Sequence, residues 1–181
     1  MLGKLLGVLC CCLFQALACG QELRPTVYYM NSPEVAQIAK DVHGGKLIPG
    51  DDNGMNAIAD SMSTENDNTR PFYIFLVSKM LQYSHNQKLK LALGGYCRHY
   101  IQNKPNAVVE LLFSKTVKPE YKFAWAKAIS SDMDTNCETT LMQCFKTSRV
   151  LSLEMCKDAN KDKLEIIFNQ IRSDLHLNTH Q

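Results

Sequence analysis

The residues of this chain best suited to chemistry are its eight cysteines, which fall into two groups of four. The first group lies within the first nineteen residues and consists of Cys10, Cys11, Cys12 and Cys19. A tetrahedral metal site needs spaced thiolates that converge on one point. Three consecutive cysteines cannot easily supply that geometry, so we interpret residues 10–12 as apolar filler and not as metal ligands.

The segment that carries these four cysteines has the pattern of a secretory signal peptide. Lys4 supplies a positive charge, and residues 5–17 are apolar apart from Gln15. A run of this length is shorter than the ~20 residues that a bilayer-spanning helix needs. A basic start, a short apolar middle and a small-residue end are typical of export signals. We therefore predict that residues 1–20 are a signal peptide and that residues 21–181 form a single helical domain.

The end of this segment allows more than one processing route. Ala16-Leu17-Ala18 fits an A-x-A cleavage site and Ala18-Cys19-Gly20 is an acceptable variant, so cleavage is expected after Ala18 or Gly20. Leu17-Ala18-Cys19 also resembles the end of a bacterial lipoprotein signal, in which a lipidated cysteine becomes the first residue. Ala16 stands where such signals usually carry leucine, so lipidation of Cys19 is an alternative. An uncleaved, buried N-terminal helix is another.

The composition of the remaining chain limits its partners. About 160 residues are enough for one domain with its own hydrophobic core. The 20 Lys and Arg residues nearly balance 18 Asp and Glu, and losing Lys4 lowers the formal net charge from +2 to +1. This balance gives no excess of positive charge of the kind that binds nucleic acid or an anionic membrane. No further apolar run reaches membrane-spanning length, so we predict no transmembrane span.

The second group of cysteines is Cys97, Cys137, Cys144 and Cys156. An even number in an exported chain favours two disulfides, and three pairings are possible. On one continuous helix, Cys137 and Cys144 would have Cα atoms ~10 Å apart. A disulfide needs less than ~7 Å, so that pair requires a helix break between its members. Four buried free thiols are the alternative.

The elements that must position these residues are helices. Apolar residues recur with a helical period almost throughout, which predicts an all-α fold, a compact bundle of about seven or eight helices. Hairpins between residues 69 and 131 could stack on one another. Helix starts are expected near Ser32-Pro33, Asn53, Thr69, Asn86, Pro105, Pro119 and Asn160. Residues 138–157 predict a weaker helix, and residues 26–30 are the only strand-like stretch.

Gly94 and Gly95 fall inside one of these predicted helices. Each glycine costs ~1 kcal/mol against alanine in a helix interior. A close helix–helix approach or a helix break at residue 94 would explain why they are kept. A ligand pocket at this point is a less favoured alternative.

Several residue patterns that could carry catalysis or bind a metal are absent or incomplete. The histidines are His43, His85, His99, His176 and His180, and none forms an H-E-x-x-H or H-x-x-H motif. His176 and His180 have helical spacing but lie at the chain end, where a solvated tail is expected. The Asp51–Gly54 stretch fails the EF-hand pattern because Pro49 would take the first ligand position.

Cys97-Arg98-His99 places a thiol beside a cation and an imidazole. Adjacent helical residues point about 100° apart, so these neighbours do not make a catalytic Cys–His pair. We therefore predict no catalytic residue, no metal site and no cofactor that the sequence can identify.

Two functional hypotheses from different classes follow from these observations. The first is an exported, non-enzymatic helical protein that binds another protein in the periplasm or outside the cell, for example an inhibitor or a toxin-neutralising immunity protein. A helix face or the polar loops 44–54 and 63–69 would engage the partner. The second is a secreted or periplasmic hydrolase in which His85, His99 or carboxylates meet in a cleft. A structural envelope lipoprotein is a third possibility, and the oligomeric state is left open.

Overall fold

The computed structural model of the chain describes residues 23–50 and 53–177. The predictions for the signal peptide, for Cys19 and for His180 lie outside these residues. Within them the chain is all-helical, as predicted, with nine α-helices, one 3₁₀ turn at Ser61–Ser63 and no strand. The helices are α1 (Thr26–Asn31), α2 (Gln37–His43), α3 (Asn53–Asp60), α4 (Arg70–Tyr83), α5 (Gln87–Asn103), α6 (Pro105–Leu112), α7 (Glu120–Asn136), α8 (Leu141–Glu154) and α9 (Asp158–Asp174).

Helix α7 lies at the centre of the bundle, where it packs against α4, α5, α8 and α9. Its Trp125 is fully buried, and the indole Nε1–H donates to Ser78 Oγ of α4 at 2.7 Å. A buried indole N–H without a partner would cost free energy, so this bond makes the large side chain compatible with the core. Helix α4 is itself buried on most sides, as its apolar sequence predicts.

The glycine pair in α5 is explained by close packing against α7. Helix α5 runs unbroken through Gly94 and Gly95. A Cβ atom added at Gly94 would stand 2.3 Å from the carbonyl oxygen of Ala128. The two backbones therefore approach so closely that only glycine fits at residue 94, and of the two explanations the close approach is confirmed.

The helix start predicted at Ser32-Pro33 is wrong. Ser32 Oγ accepts a hydrogen bond from Glu34 N at 3.2 Å, which closes a local turn, and α2 begins only at Gln37. Serine hydroxyls stabilise such turns as readily as they cap helices, so the two outcomes share one sequence signal.

The strand-like character predicted for residues 26–30 is also wrong, because these residues form helix α1. A lone strand would leave its backbone groups without partners, whereas a helix satisfies most of them internally. Tyr29 of α1 is buried and stacks on Phe72 of α4 with ring centroids 4.8 Å apart. This contact fastens the short helix to the core.

The predicted helix caps differ in outcome. Asn86 caps α5, since its Oδ1 accepts from Leu89 N at 3.1 Å. Thr69 precedes α4 but makes no cap bond, because its hydroxyl points back to the Asn66 carbonyl. The last helix begins at Asp158, two residues before Asn160.

Candidate functional site

The Cys137–Cys144 pair forms a disulfide whose Cα atoms are 6.3 Å apart. Helix α7 ends at Asn136 and α8 begins at Leu141, so the required break lies between the two cysteines. Thr140 caps the N-terminus of α8, with its Oγ1 accepting from Gln143 N at 3.3 Å. The helix break that a Cys137–Cys144 disulfide requires is therefore present.

The second expected disulfide does not form, because Cys97 and Cys156 are separate, buried free thiols. Cys97 lies on α5 and faces the core, where burial and the nearby Asp132 carboxylate raise the pKa of its thiol well above the ordinary value. Cys156 lies in the turn before α9, with its Sγ 3.7 Å from Asn106 Oδ1, and burial raises its pKa as well. High thiol pKa values leave both cysteines unreactive as nucleophiles near neutral pH.

Arg98 connects the disulfide to the interior of the bundle. Its Nη1 lies 3.4 Å from the Sγ of Cys137 and 3.3 Å from the Sγ of Cys144. Its Nε lies 2.7 Å from Asp132 Oδ2, across the α5–α7 contact. We call these four residues the arginine–disulfide cluster. The guanidinium of α5 thus contacts a carboxylate on α7, the sulfur of Cys137 at the end of α7, and the sulfur of Cys144 in the first turn of α8.

Asp132 is the buried anchor of this cluster. Its side chain is only 4% exposed, and a buried carboxylate is costly unless it is paired and hydrogen-bonded. Arg98 supplies the opposite charge, and Asn136 Nδ2 donates to Oδ1 at 2.8 Å. A Cβ at Gly95 would lie 3.2 Å from the same Oδ1, so this glycine leaves room for the carboxylate. The buried carboxylate therefore holds the Arg98 guanidinium beside the disulfide.

The sequence predicts the two cysteines as candidate site residues but does not predict the contacts of Arg98 and Asp132 with each other and with the disulfide. Arg98 was considered only as the neighbour of Cys97. The sequence signal for the pair is weak, because Asp132 lies in the polar C-terminal part of α7 near Ser131 and Asp134, although Arg98 follows the glycine pair by one helical turn. Pairing the two required knowing that α5 packs against α7.

The histidines do not assemble a site. His43 is half-buried between the rings of Phe72 and Phe75, at centroid distances of 5.5 and 5.9 Å. Burial, and secondarily Lys79, lower the pKa of His43. His85 and His99 are exposed on the surface. An open groove near α1 contains no histidine and is lined by Val27, Tyr28, Asn31, Ser32, Pro33, Glu34 and Asn68.

No group of three or more His, Cys, Asp and Glu side chains in residues 23–50 and 53–177 is arranged to hold a metal ion. No helix in the same part of the chain combines the length and apolar character needed to cross a membrane. Asp51 and Asp52 of the rejected calcium motif fall in the gap between these ranges.

Helix α8 exposes large apolar side chains on its outer side. Val150, Leu151 and Met155 are 48%, 43% and 59% exposed. Met155 directly follows the last residue of α8. At 100° per residue the three side chains span about 140° of the helix circumference, and the exposed Thr147 and Glu154 lie within that sector. We call these three residues the α8 face. Such grouping on one helix is more informative than scattered exposed apolar residues, which are normal on protein surfaces.

The polar loop at residues 63–69 is held in a defined conformation by the buried Arg70. Its Nε donates to the Thr64 carbonyl at 2.8 Å, and its Nη1 pairs with Asp67. Glu65 lies 3.7 Å from Arg70 Nη2 and 3.1 Å from Lys104 Nζ. The acidic side chains of this loop are largely exposed, but each has a basic partner in the same protein.

Comparison with known proteins gives no relative from which a function could be carried over. No protein-family model, no curated protein and no solved structure matches the chain. A function has therefore to be inferred from two features, the arginine–disulfide cluster and the α8 face.

Proposed function

We propose that the chain is an exported protein that binds another protein, in the periplasm or outside the cell, through the α8 face. The observation that carries this proposal is the exposure of Val150, Leu151 and Met155 at the C-terminal end of one helix. Apolar side chains at the centre of an interface gain free energy when a partner removes them from water. The partner is a protein with a complementary apolar pocket and a polar rim.

The packing of α8 supports this proposal, because the helix presents its face from a fixed position. Phe145 and Ser148 of α8 are buried against the bundle, and Ser148 Oγ accepts from Gln102 Nε2 of α5 at 2.9 Å. Arg149 pairs with Glu165 of α9. A helix held in advance loses little conformational entropy when a partner binds, so more of the apolar gain becomes affinity.

The cysteine chemistry supports export. Disulfides persist in oxidising compartments and are rare in the cytosol, where thiols are kept reduced. The Cys137–Cys144 disulfide therefore agrees with the export signal expected at residues 1–20. The sequence has no N-x-S/T sequon although it contains asparagine throughout, which favours a bacterial envelope over a eukaryotic secretory route.

The proposal is tested by capture with a matched pair of surface variants. Purified wild-type protein, Leu151→Glu and Val27→Glu would each be immobilised and exposed to envelope or culture extract of the source cell. Val27 is the control because it is 64% exposed on α1, away from α8. A protein captured by wild type and Val27→Glu but not by Leu151→Glu would then be purified and its affinity measured.

We expect Leu151→Glu to weaken that affinity by about 30-fold or more, which is the effect of losing one hot-spot residue. A partner that binds both variants equally well would contradict a role for the α8 face. Failure of the wild type to retain any partner would contradict protein binding itself.

A further inference from the structure

The contact between Arg98 and the disulfide changes in strength with the redox state of the sulfurs. In the oxidised protein Arg98 Nη1 faces two neutral sulfurs at 3.3 and 3.4 Å, and such sulfurs are weak acceptors. In the reduced protein a cysteine can carry a thiolate, which accepts a charge-assisted hydrogen bond from the same guanidinium. Arg98 therefore stabilises the reduced form more than the oxidised form.

We propose that the Cys137–Cys144 disulfide is a thiol–disulfide exchange site that oxidises the dithiol of another protein. Both cysteines are partly exposed, and the connecting residues 138–140 lie at the surface, so an external thiolate can approach. Arg98 is held by the buried Asp132 and stands beside both sulfurs, where negative charge develops on whichever one leaves. Stabilising the leaving thiolate speeds exchange.

The two sulfurs differ in their helix environment, which predicts which one is attacked. Cys137 lies at the C-terminal end of α7, where the partial negative charge of the helix disfavours a thiolate. Cys144 lies near the N-terminal end of α8, whose partial positive charge favours one. The Cys144 sulfur is therefore the better leaving group, and the incoming thiolate attacks Cys137 Sγ.

The exchange balances without a further reactant. A substrate thiolate forms a bond to Cys137 Sγ while the Cys137–Cys144 bond breaks, and the electron pair of that bond stays on Cys144 as a thiolate beside Arg98. The second substrate thiol loses its proton and attacks the substrate sulfur of this mixed disulfide, releasing Cys137 as a thiolate that takes up a proton. The substrate dithiol is oxidised by two electrons to a disulfide, and the protein disulfide is reduced to a dithiol.

The fold can open this disulfide without disassembly. The closed loop is short, because Cys144 follows Cys137 by seven positions, so the bond constrains only a small part of the chain. Helix α7 is held by its packing in the centre of the bundle, and Phe145 buries the start of α8. The free thiol of Cys97 does not compete in the exchange, because it is completely buried.

The first experiment compares the protein disulfide with the same disulfide in a peptide. The oxidised protein and an oxidised peptide of residues 136–145 would be equilibrated in buffers of reduced and oxidised glutathione, and the reduced fraction counted by alkylation and mass. A purely structural disulfide is harder to reduce in the folded protein than in the peptide. We expect the reverse, with an equilibrium constant for reduction by glutathione at least tenfold larger for the protein than for the peptide. An equilibrium constant for the protein that is equal to or smaller than that of the peptide would overturn the proposal.

The second experiment removes the guanidinium without leaving a buried charge. Arg98→Met/Asp132→Asn eliminates the ion pair of the cluster, and Arg149→Met/Glu165→Gln eliminates the ion pair between α8 and α9 as the control. We expect the first variant to react with reduced glutathione about tenfold more slowly than wild type, and the control to match wild type. Equal rates for the two variants would overturn the role of Arg98, and if the first variant does not fold, the peptide comparison decides.

The exchange site is separable from protein binding through the α8 face. Leu151→Glu should exchange with glutathione at the wild-type rate, because residue 151 lies two helical turns beyond Cys144. Partner capture that survives Leu151→Glu would contradict the α8 face alone, and a wild-type disulfide no easier to reduce than the peptide would contradict the exchange site alone.

Discussion

Gly94 of α5 and Ala128 of α7 form the closest contact between the helices that carry the arginine–disulfide cluster. A Cβ at residue 94 would stand 2.3 Å from the Ala128 carbonyl oxygen, which is backbone and cannot move aside easily. This contact sets the distance between α5 and α7, and therefore places Arg98 within reach of Asp132.

Gly94→Ala should accordingly destabilise the protein, although alanine favours helix formation by ~1 kcal/mol. We expect a net loss of about 2 kcal/mol or more in the free energy of unfolding, because overpacking a well-filled contact costs 1–3 kcal/mol and sometimes more. Urea denaturation measures the change. Gly95→Ala is the matched control, since its Cβ would meet a side-chain oxygen at 3.2 Å. A larger loss for Gly95→Ala than for Gly94→Ala would contradict this account.

Reducing the disulfide should raise the stability of the folded protein. Folding and reduction are linked, and the peptide stands for the unfolded chain, so a Cys137–Cys144 bond that is tenfold easier to reduce in the protein makes the dithiol form about 1.4 kcal/mol more stable toward unfolding than the disulfide form. Urea denaturation of the oxidised and the reduced protein measures the difference. Cys156→Ser is the control and should show the same difference between its two forms, because residue 156 takes no part in the disulfide. A reduced protein that unfolds at lower urea concentration than the oxidised protein would contradict the exchange proposal.

Removing Arg98 alone should be more damaging than removing the whole ion pair. Arg98→Met leaves the Asp132 carboxylate buried without its opposite charge, which costs about 3–5 kcal/mol. Arg98→Met/Asp132→Asn should regain much of that loss, because no buried charge remains. Denaturation midpoints of the two variants measure the difference. If the double variant were the less stable of the two, Asp132 would not be the anchor described here.

The stability of the protein should decrease at mildly acidic pH through His43. Burial and Lys79 lower the pKa of His43 below its ordinary value of 6.5, so the folded protein binds this proton less readily than the unfolded chain does. As pH falls through 6.5 the unfolded chain gains the proton first, and the free energy of unfolding falls. Above about pH 7.5 both states are neutral and the contribution disappears.

His43→Asn should therefore lose less stability than wild type between pH 7.5 and 5.5, as measured by thermal unfolding. His85→Asn is the control, since His85 is exposed and should leave the wild-type slope unchanged. Identical slopes for wild type and His43→Asn would remove His43 as the cause.

The all-α class and most helix positions could be predicted from sequence because helical periodicity is a local property. The close approach at Gly94 and the helix break that the Cys137–Cys144 pair requires were also accessible, since they rest on Cβ sterics and on helix rise. The turn at Ser32 was missed because a serine hydroxyl serves turns and helix caps alike. Helix α1 was missed because its β-branched and aromatic residues favour a strand locally, whereas packing of Tyr29 on Phe72 decides the outcome. The Arg98–Asp132 pair was missed because it depends on how two helices pack, which no local pattern specifies.

The central claim is an exported helical protein with one disulfide, and intact mass spectrometry of the protein from its source cell tests it most directly. The protein would be denatured and alkylated with and without prior reduction, then mapped by peptide. We predict a chain cut after residue 18 or 20, or acylated at Cys19. Within residues 23–181, Cys97 and Cys156 should alkylate without reduction, and Cys137 and Cys144 only after it. A chain that still begins at Met1, with all eight cysteines alkylated before reduction, would contradict the account.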